Sequence, residues 1–185
     1  KLAENSGYPS VTASLLTRQA RAEAGAGDII SCYRTLERAM EKQTSHDGQE
    51  MPPWIDWINL GEIHGQSATC AVILGDTATA VSEIQLARGR YGNAAHRSES
   101  LHLLRVALAQ AEGGDLDVAC STAREALAIG SEVGSFRFDE VKGDLIQVLR
   151  PHSASIVVSD FFHEFSQLVH GALPTSRLSQ QRHAA

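Results

Sequence analysis

Residues Leu103–Leu127 read L-L-R-V-A-L-A-Q-A-E-G-G-D-L-D-V-A-C-S-T-A-R-E-A-L. Apolar residues fall at helical spacing on both sides of Gly113-Gly114-Asp115. Glycine accepts the left-handed conformation that ends a helix, and aspartate caps the next one. The stretch therefore predicts two helices folded back on each other across a tight turn. The small residues Ala107, Ala119, Ala123 and Ala126 predict that the two rods approach closely.

The same signal occurs twice earlier, at Gly27-Asp28 and Gly75-Asp76. Four residues after each aspartate stands Cys32, Ala80 or Ala119. Eight after it stands Leu36, Ile84 or Ala123, and eleven after it stands Ala39, Ala87 or Ala126. These offsets trace one face of a helix. A second helix that packs on its own partner and on the next unit needs small residues there, with a larger one filling the space between.

Outward from the hinges the remaining helices follow. Ser10 is an N-cap candidate, and Val11, Leu15, Leu16, Gln19, Ala20 and Ala24 mark a first helix. Ile29, Cys32, Leu36, Ala39 and Met40 mark its partner. Thr44–Met51 is a polar loop with an Asp47-Gly48 turn. Pro52-Pro53 then predict the start of a long helix carrying Trp54, Trp57, Ile58, Ile63, Cys70, Ala71 and Leu74, since proline is tolerated in a first turn. Gly61 and Gly65 inside it imply a close helix approach or a bend. Gly89–Asn93 is a turn-rich connection to the Ala95–Ser131 hairpin. Phe136–Leu149 and Ser155–Leu173 complete the helices, and Arg150-Pro151 separates them. Ser155–Val158 is the one strand candidate. The tail 174–185 is polar and is expected to be disordered.

Composition narrows the function classes. The chain has 185 residues, an apolar fraction of 43% and a net charge of -6, which argues against a general phosphate-binding surface. No apolar run is long enough to span a bilayer, and no signal peptide is visible, so a cytoplasmic location is expected. Cys32, Cys70 and Cys120 are widely spaced and lack a CxxC pair, so they read as small hydrophobes in a reducing compartment. Leu2–Gly7 has the pattern of a helix end, so earlier helices are expected before Lys1.

The recurring Gly-Asp break followed by alanines resembles the tetratricopeptide repeat, over about Ser10 to Leu149. Leu16, Gln19 and Ala20, and Leu103, Val106 and Ala107, fall near that family's first-helix pattern. His64, Ser67 and Ala68 depart from it, and the closing proline is absent. The resemblance implies an all-α fold of stacked antiparallel helical hairpins, a right-handed α-solenoid closed by a C-terminal capping helix, as one domain over 1–173. P-P-W-I-D-W-I-N-L-G-E-I-H-G-Q (52–66) before a Leu-Gly-Asp break, with L-R-P-H (149–152) before the last helix, resembles the C-terminal region of bacterial helix-turn-helix transcriptional regulators. That resemblance implies an N-terminal DNA-binding domain absent from this chain, through which alone it would meet DNA.

In such a stack the first helix of each pair lines a concave groove. The residues expected there are Arg18, Arg21, Trp57, Asn59, Glu62, Thr69, Leu104 and Arg105. Trp54 and Trp57, three apart on one expected helix face, divide between core and pocket edge. Arg34 joins Arg18 and Arg21 as a lesser anion-site candidate. Phe161, Phe162 and Phe165 on the last helix are expected to form a repeat cap or a homodimer surface. His64, His96 and His102 lack metal-ligand spacing or a clear carboxylate partner, and read as surface or cap residues, as do His163 and His170. Neither a GxSxG elbow nor a phosphate loop is present, and no catalytic residue, metal or cofactor is expected. The expected role is a sensor and interaction domain that binds a peptide or small effector. A protein-interaction scaffold without a small ligand is the alternative, and an enzyme is the remote third reading.

Overall fold

The structure, a computed structural model of the chain, describes residues 8–45, 54–55, 57–91, 95–130 and 136–172, the side chains of 167–172 excepted. Leu2–Gly7, Asp47-Gly48, Pro52-Pro53 and the tail 174–185 lie outside the described residues. Among the described residues the regular structure is entirely helical. The elements are α1 (Pro9–Gly25), α2 (Ile29–Thr44), α3 (Leu60–Ile73), α4 (Thr77–Ala87), α5 (His96–Glu112), α6 (Leu116–Gly130), α7 (Phe136–Leu149) and α8 (Ile156–Ala172). A short 3-10 turn at Arg150–His152 separates the last two. Ser155–Val158 is no strand, because Ile156 already opens α8.

All three Gly-Asp breaks are helix-to-helix turns of one construction. Gly27, Gly75 and Gly114 have φ of 76°, 76° and 89°, the left-handed region that a side chain disfavours. Each glycine N–H donates three residues back, to Ala24, Val72 or Ala111 (2.9, 3.0 and 3.0 Å). Each following aspartate N–H donates five back, to Glu23, Ala71 or Gln110 (all 2.9 Å). This double closure satisfies carbonyls that the helix end would otherwise leave open. The aspartates at two of the hinges then cap the next helix. Asp28 Oδ1 accepts from Ser31 N at 3.0 Å, and Asp76 Oδ1 accepts from Thr79 N at 3.0 Å. Asp76 Oδ2 also accepts from Thr79 Oγ1 at 2.6 Å, and these bonds hold its carboxyl below the usual range. Asp76→Ala is expected to cost about 1 kcal/mol, the usual loss for a helix N-cap, measured by urea unfolding at constant slope.

The turns make antiparallel pairs, α1 on α2, α3 on α4 and α5 on α6. The first helices also pack in series: α1 against α3, α3 against α5, α5 against α7, while α8 lies on α6. A helix with neighbours on several sides must be small or apolar nearly all round. Accordingly every residue from Gly61 to Ala71 except His64 is buried in α3. The nine small or apolar residues that follow the hinge aspartates, Cys32, Leu36 and Ala39 with their counterparts on α4 and α6, are all buried. The largest core cluster runs from α3 to α8 around Leu103, Leu104, Leu145 and Phe161; α1 and α2 close two smaller ones.

Three expectations need correction. α3 begins at Leu60, not at Pro52-Pro53, because Asn59 Oδ1 accepts from Glu62 N at 3.1 Å and caps the helix there. Trp54 and Trp57 therefore do not share a helix face; they sit in the preceding turn, where Trp57 Nε1 donates to Trp54 O at 3.1 Å. Trp54 is 65% exposed and is not a core residue; Ile55 and Ile58 are buried in its place. Leu15 and Ile29 are also largely exposed, since the buried faces of their helices run through Ala13, Leu16, Ala20 and Ala24, and through Cys32, Leu36 and Ala39. Cys32, Cys70 and Cys120 are free and buried, and burial pushes the Cys70 thiol up to about 12.

Candidate functional site

The serial packing of first helices leaves a concave pocket of about 530 Å3. Each wall comes from one first helix or the turn before it. Arg18 and Arg21 stand on α1, one turn apart. Trp57 precedes α3, which adds Glu62 and Gln66. The helix α5 contributes Arg97, Ser98, Leu101, His102 and Arg105, and the first turn of α7 adds Phe136 and Arg137. On α1, α3 and α5 the lining residues recur at three- or four-residue intervals, which is what one helix face requires.

Five of the residues expected in the groove line this pocket: Arg18, Arg21, Trp57, Glu62 and Arg105. Asn59 and Thr69 stand behind it instead. Asn59 caps α3, which fixes the first turn that carries Glu62. Thr69 is buried, donates to Gly65 O at 3.1 Å, and accepts from an Arg105 guanidinium nitrogen at 3.5 Å. Leu104 is fully buried in the core, away from the lining. Gln66, Arg97, Ser98, Leu101, His102, Phe136 and Arg137 were not anticipated. Stepping back from Arg105 by one helical face would have reached His102 and Ser98, and from Glu62 forward, Gln66.

The floor is a polar network inside the fold. Gln66 Nε2 donates to Glu62 Oε1 at 2.8 Å and lies 3.4 Å from His102 Nε2. His102 Nδ1 is 2.9 Å from the Tyr91 hydroxyl, with the two rings stacked at 6.2 Å between centroids. His102 is 2% exposed and Glu62 4%. His102 is thus no surface or cap residue. Burial, reinforced by Arg105, Arg21 and Arg18, lowers its pKa to about 3, so the ring is neutral at physiological pH. Burial raises the Glu62 carboxyl above its usual range, against the pull of Gln66, Ser98 and the arginines. Two acceptors in this network, Glu62 Oε2 and Gln66 Oε1, have no hydrogen-bond partner among the described residues.

The rim is strongly positive. Among the described residues five arginines and a single carboxylate line it. Burial, with Arg21 and Arg137 nearby, brings the Arg105 guanidinium down to about 10. Outside the pocket several charges pair: Arg88 with Glu125, Arg124 with Glu164, and His64 Nδ1 with Glu83 Oε2 at 2.9 Å. That last pair, and His96 Nδ1 3.9 Å from Glu99 Oε2, supply carboxylate partners that were not expected from spacing alone. Arg34 takes no part in the pocket lining.

On α8, Phe161 is 1% exposed and lies in the main core, beneath the Arg124 guanidinium at 5.8 Å. Phe162 and Phe165 are half-buried against the same core. Among the described residues no His, Cys, Asp and Glu side chains gather in threes to hold a metal ion, and no helix is long and apolar enough to cross a membrane. Compared with known proteins, the chain matches no family model, and neither a curated protein nor a solved structure matches it.

Proposed function

We propose that the chain is the effector-binding domain of a regulator, a tetratricopeptide-like stack in which α7 and α8 form a fourth unit and α8 the cap. The effector enters the pocket shared by α1, α3, α5 and α7 and biases how these helices sit against each other. The change passes to a DNA-binding domain before Lys1, as in bacterial helix-turn-helix regulators, or to a second copy of the chain. A ligand shifts such an equilibrium only by its differential affinity for two arrangements. A pocket whose wall is divided among four helices supplies that difference, because moving any one of them changes the fit.

The observation that carries this reading is that division of the lining, with a polar floor and charged rim in one concavity. A catalytic role is weakly supported: His102, held to about 3, is a poor base at neutral pH. Screening fractions of a cell extract by thermal unfolding tests the proposal. A ligand at a hundredfold excess over its Kd adds about 2.7 kcal/mol, which for a domain of this size raises Tm by roughly 5–10 °C. If no fraction does so while affinity capture repeatedly recovers one polypeptide, the chain is a scaffold and the effector reading fails.

A further inference from the structure

We infer, building on the pocket as an effector site, that its ligand is a small polyanion with an N–H-donating head. The anionic groups meet the arginine rim, and the head meets the open acceptors of Glu62 and Gln66. The whole chain carries a net charge of -6, yet five of its thirteen arginines line this one pocket. No carboxylate among the described residues pairs with Arg18, Arg21 or Arg137, whereas Arg88 and Arg124 outside the pocket each hold a glutamate. Among the described residues Arg105 hydrogen-bonds Thr69 Oγ1, at 3.5 Å. Arginines that stand together with no paired carboxylate among the described residues, as Arg18, Arg21 and Arg137 do, cost free energy, and an anion removes that cost. The planar guanidinium fork binds carboxylate or phosphate oxygens in pairs.

The floor asks for the opposite chemistry. Glu62 Oε2 and Gln66 Oε1 belong to side chains more than nine-tenths buried that line the pocket, and neither accepts a hydrogen bond among the described residues. The Ser98 hydroxyl approaches the Glu62 carboxyl without closing a bond to that oxygen. A buried acceptor left open is costly, so a ligand that presents N–H groups there is favoured. Trp57 and the exposed ring of Phe136 add flat apolar faces beside the rim, suited to a planar head. A simple inorganic anion satisfies the rim alone, and a neutral base the floor alone. A nucleoside polyphosphate satisfies both within a pocket of this volume.

Calorimetric titration of the whole chain at low salt tests this with three probes: inorganic tripolyphosphate, GDP and guanosine. GDP is expected to bind at least tenfold more tightly than tripolyphosphate, and guanosine to give no measurable binding. Arg18→Gln/Arg137→Gln changes two exposed side chains and leaves the fold intact; it is expected to weaken GDP and tripolyphosphate at least tenfold each. Glu62→Gln is expected to abolish the advantage of GDP without weakening tripolyphosphate. The inference is overturned if neither phosphate probe binds, if the double variant binds GDP as well as the parent, or if GDP gains nothing over tripolyphosphate. An acidic peptide that binds where both phosphate probes fail overturns the small-polyanion class. Should only neutral or cationic extract fractions stabilise the chain, this inference falls and the effector reading stands; should nothing stabilise it, both fall.

Discussion

Gly61→Ala is expected to destabilise the chain by about 3 kcal/mol, the upper end of the cost of overfilling a packed site. The sign runs against ordinary helix propensity, which favours alanine over glycine by up to about 1 kcal/mol and less in a first turn, where Gly61 stands. A Cβ on Gly61 would lie 2.6 Å from Tyr91 N, 2.7 Å from Arg90 C and 2.9 Å from Arg90 O. These are backbone atoms, which cannot swing aside as a side-chain tip can. Relief would have to come from separating α3 from the chain after α4, and Tyr91 in that chain is the residue that holds His102. Gly65 is crowded by side chains instead, with a Cβ 2.0 Å from His102 Nδ1 and 2.2 Å from the Tyr91 hydroxyl oxygen. Gly143 on α7 is the control. Its Cβ would meet nothing within 4 Å, so Gly143→Ala is expected to stabilise by up to about 1 kcal/mol. Urea unfolding of the two variants should therefore give shifts of opposite sign. A neutral or stabilising Gly61→Ala would show that the close approach is absent.

Gly61 and Gly65 mark the boundary of what the residues alone disclose. Their position in an otherwise good helix signals close approach or bending, and the approaching partners decide for close approach. Those partners, Arg90, Tyr91 and His102, lie far along the chain, and no local pattern names them. The hinges were legible because their chemistry is local: glycine at positive φ, then an aspartate that caps. The start of α3 was misplaced because Pro52-Pro53 permits a helix start without requiring one. Asn59, followed three residues later by Glu62, is the stronger signal, since the asparagine oxygen binds the glutamate N–H. Arg18, Arg21, Glu62 and Arg105 were recovered because a helix face is periodic, whereas Trp57 reaches the pocket from the turn before α3. His102 was missed for the opposite reason. A lone histidine without a second ligand at helical spacing looks ordinary, and its partners Gln66 and Tyr91 come from other segments of the chain.

His102 also sets the largest expected pH effect. A histidine with a pKa near 6.5 in the unfolded chain and about 3 in the folded one binds its proton only when the chain unfolds, over the window between those values. The unfolded state then holds more protons, so stability falls as pH is lowered. At about 1.36 kcal/mol per unit, the loss between pH 7 and pH 5 is about 2 kcal/mol, and it grows towards pH 3. Glu62 works in the other direction. Its raised carboxyl contributes stability that is fully present below the unfolded value and is lost as pH rises through the folded one, so it offsets part of the acid loss. Comparing the parent with His102→Gln separates the two, because the variant keeps Glu62 and every other histidine. The expected result is a shallower pH slope of unfolding free energy in the variant, by about 2 kcal/mol between pH 7 and pH 5. If His102→Gln fails to fold, the His102 ring followed by NMR in the parent serves instead, and no titration is expected between pH 8 and pH 5. A midpoint near 6.5, or equal slopes in the two proteins, would mean that the ring meets solvent. The floor would then be open to protons, and the neutral imidazole that Tyr91 and Gln66 hold beneath the arginines would become one more cation among them.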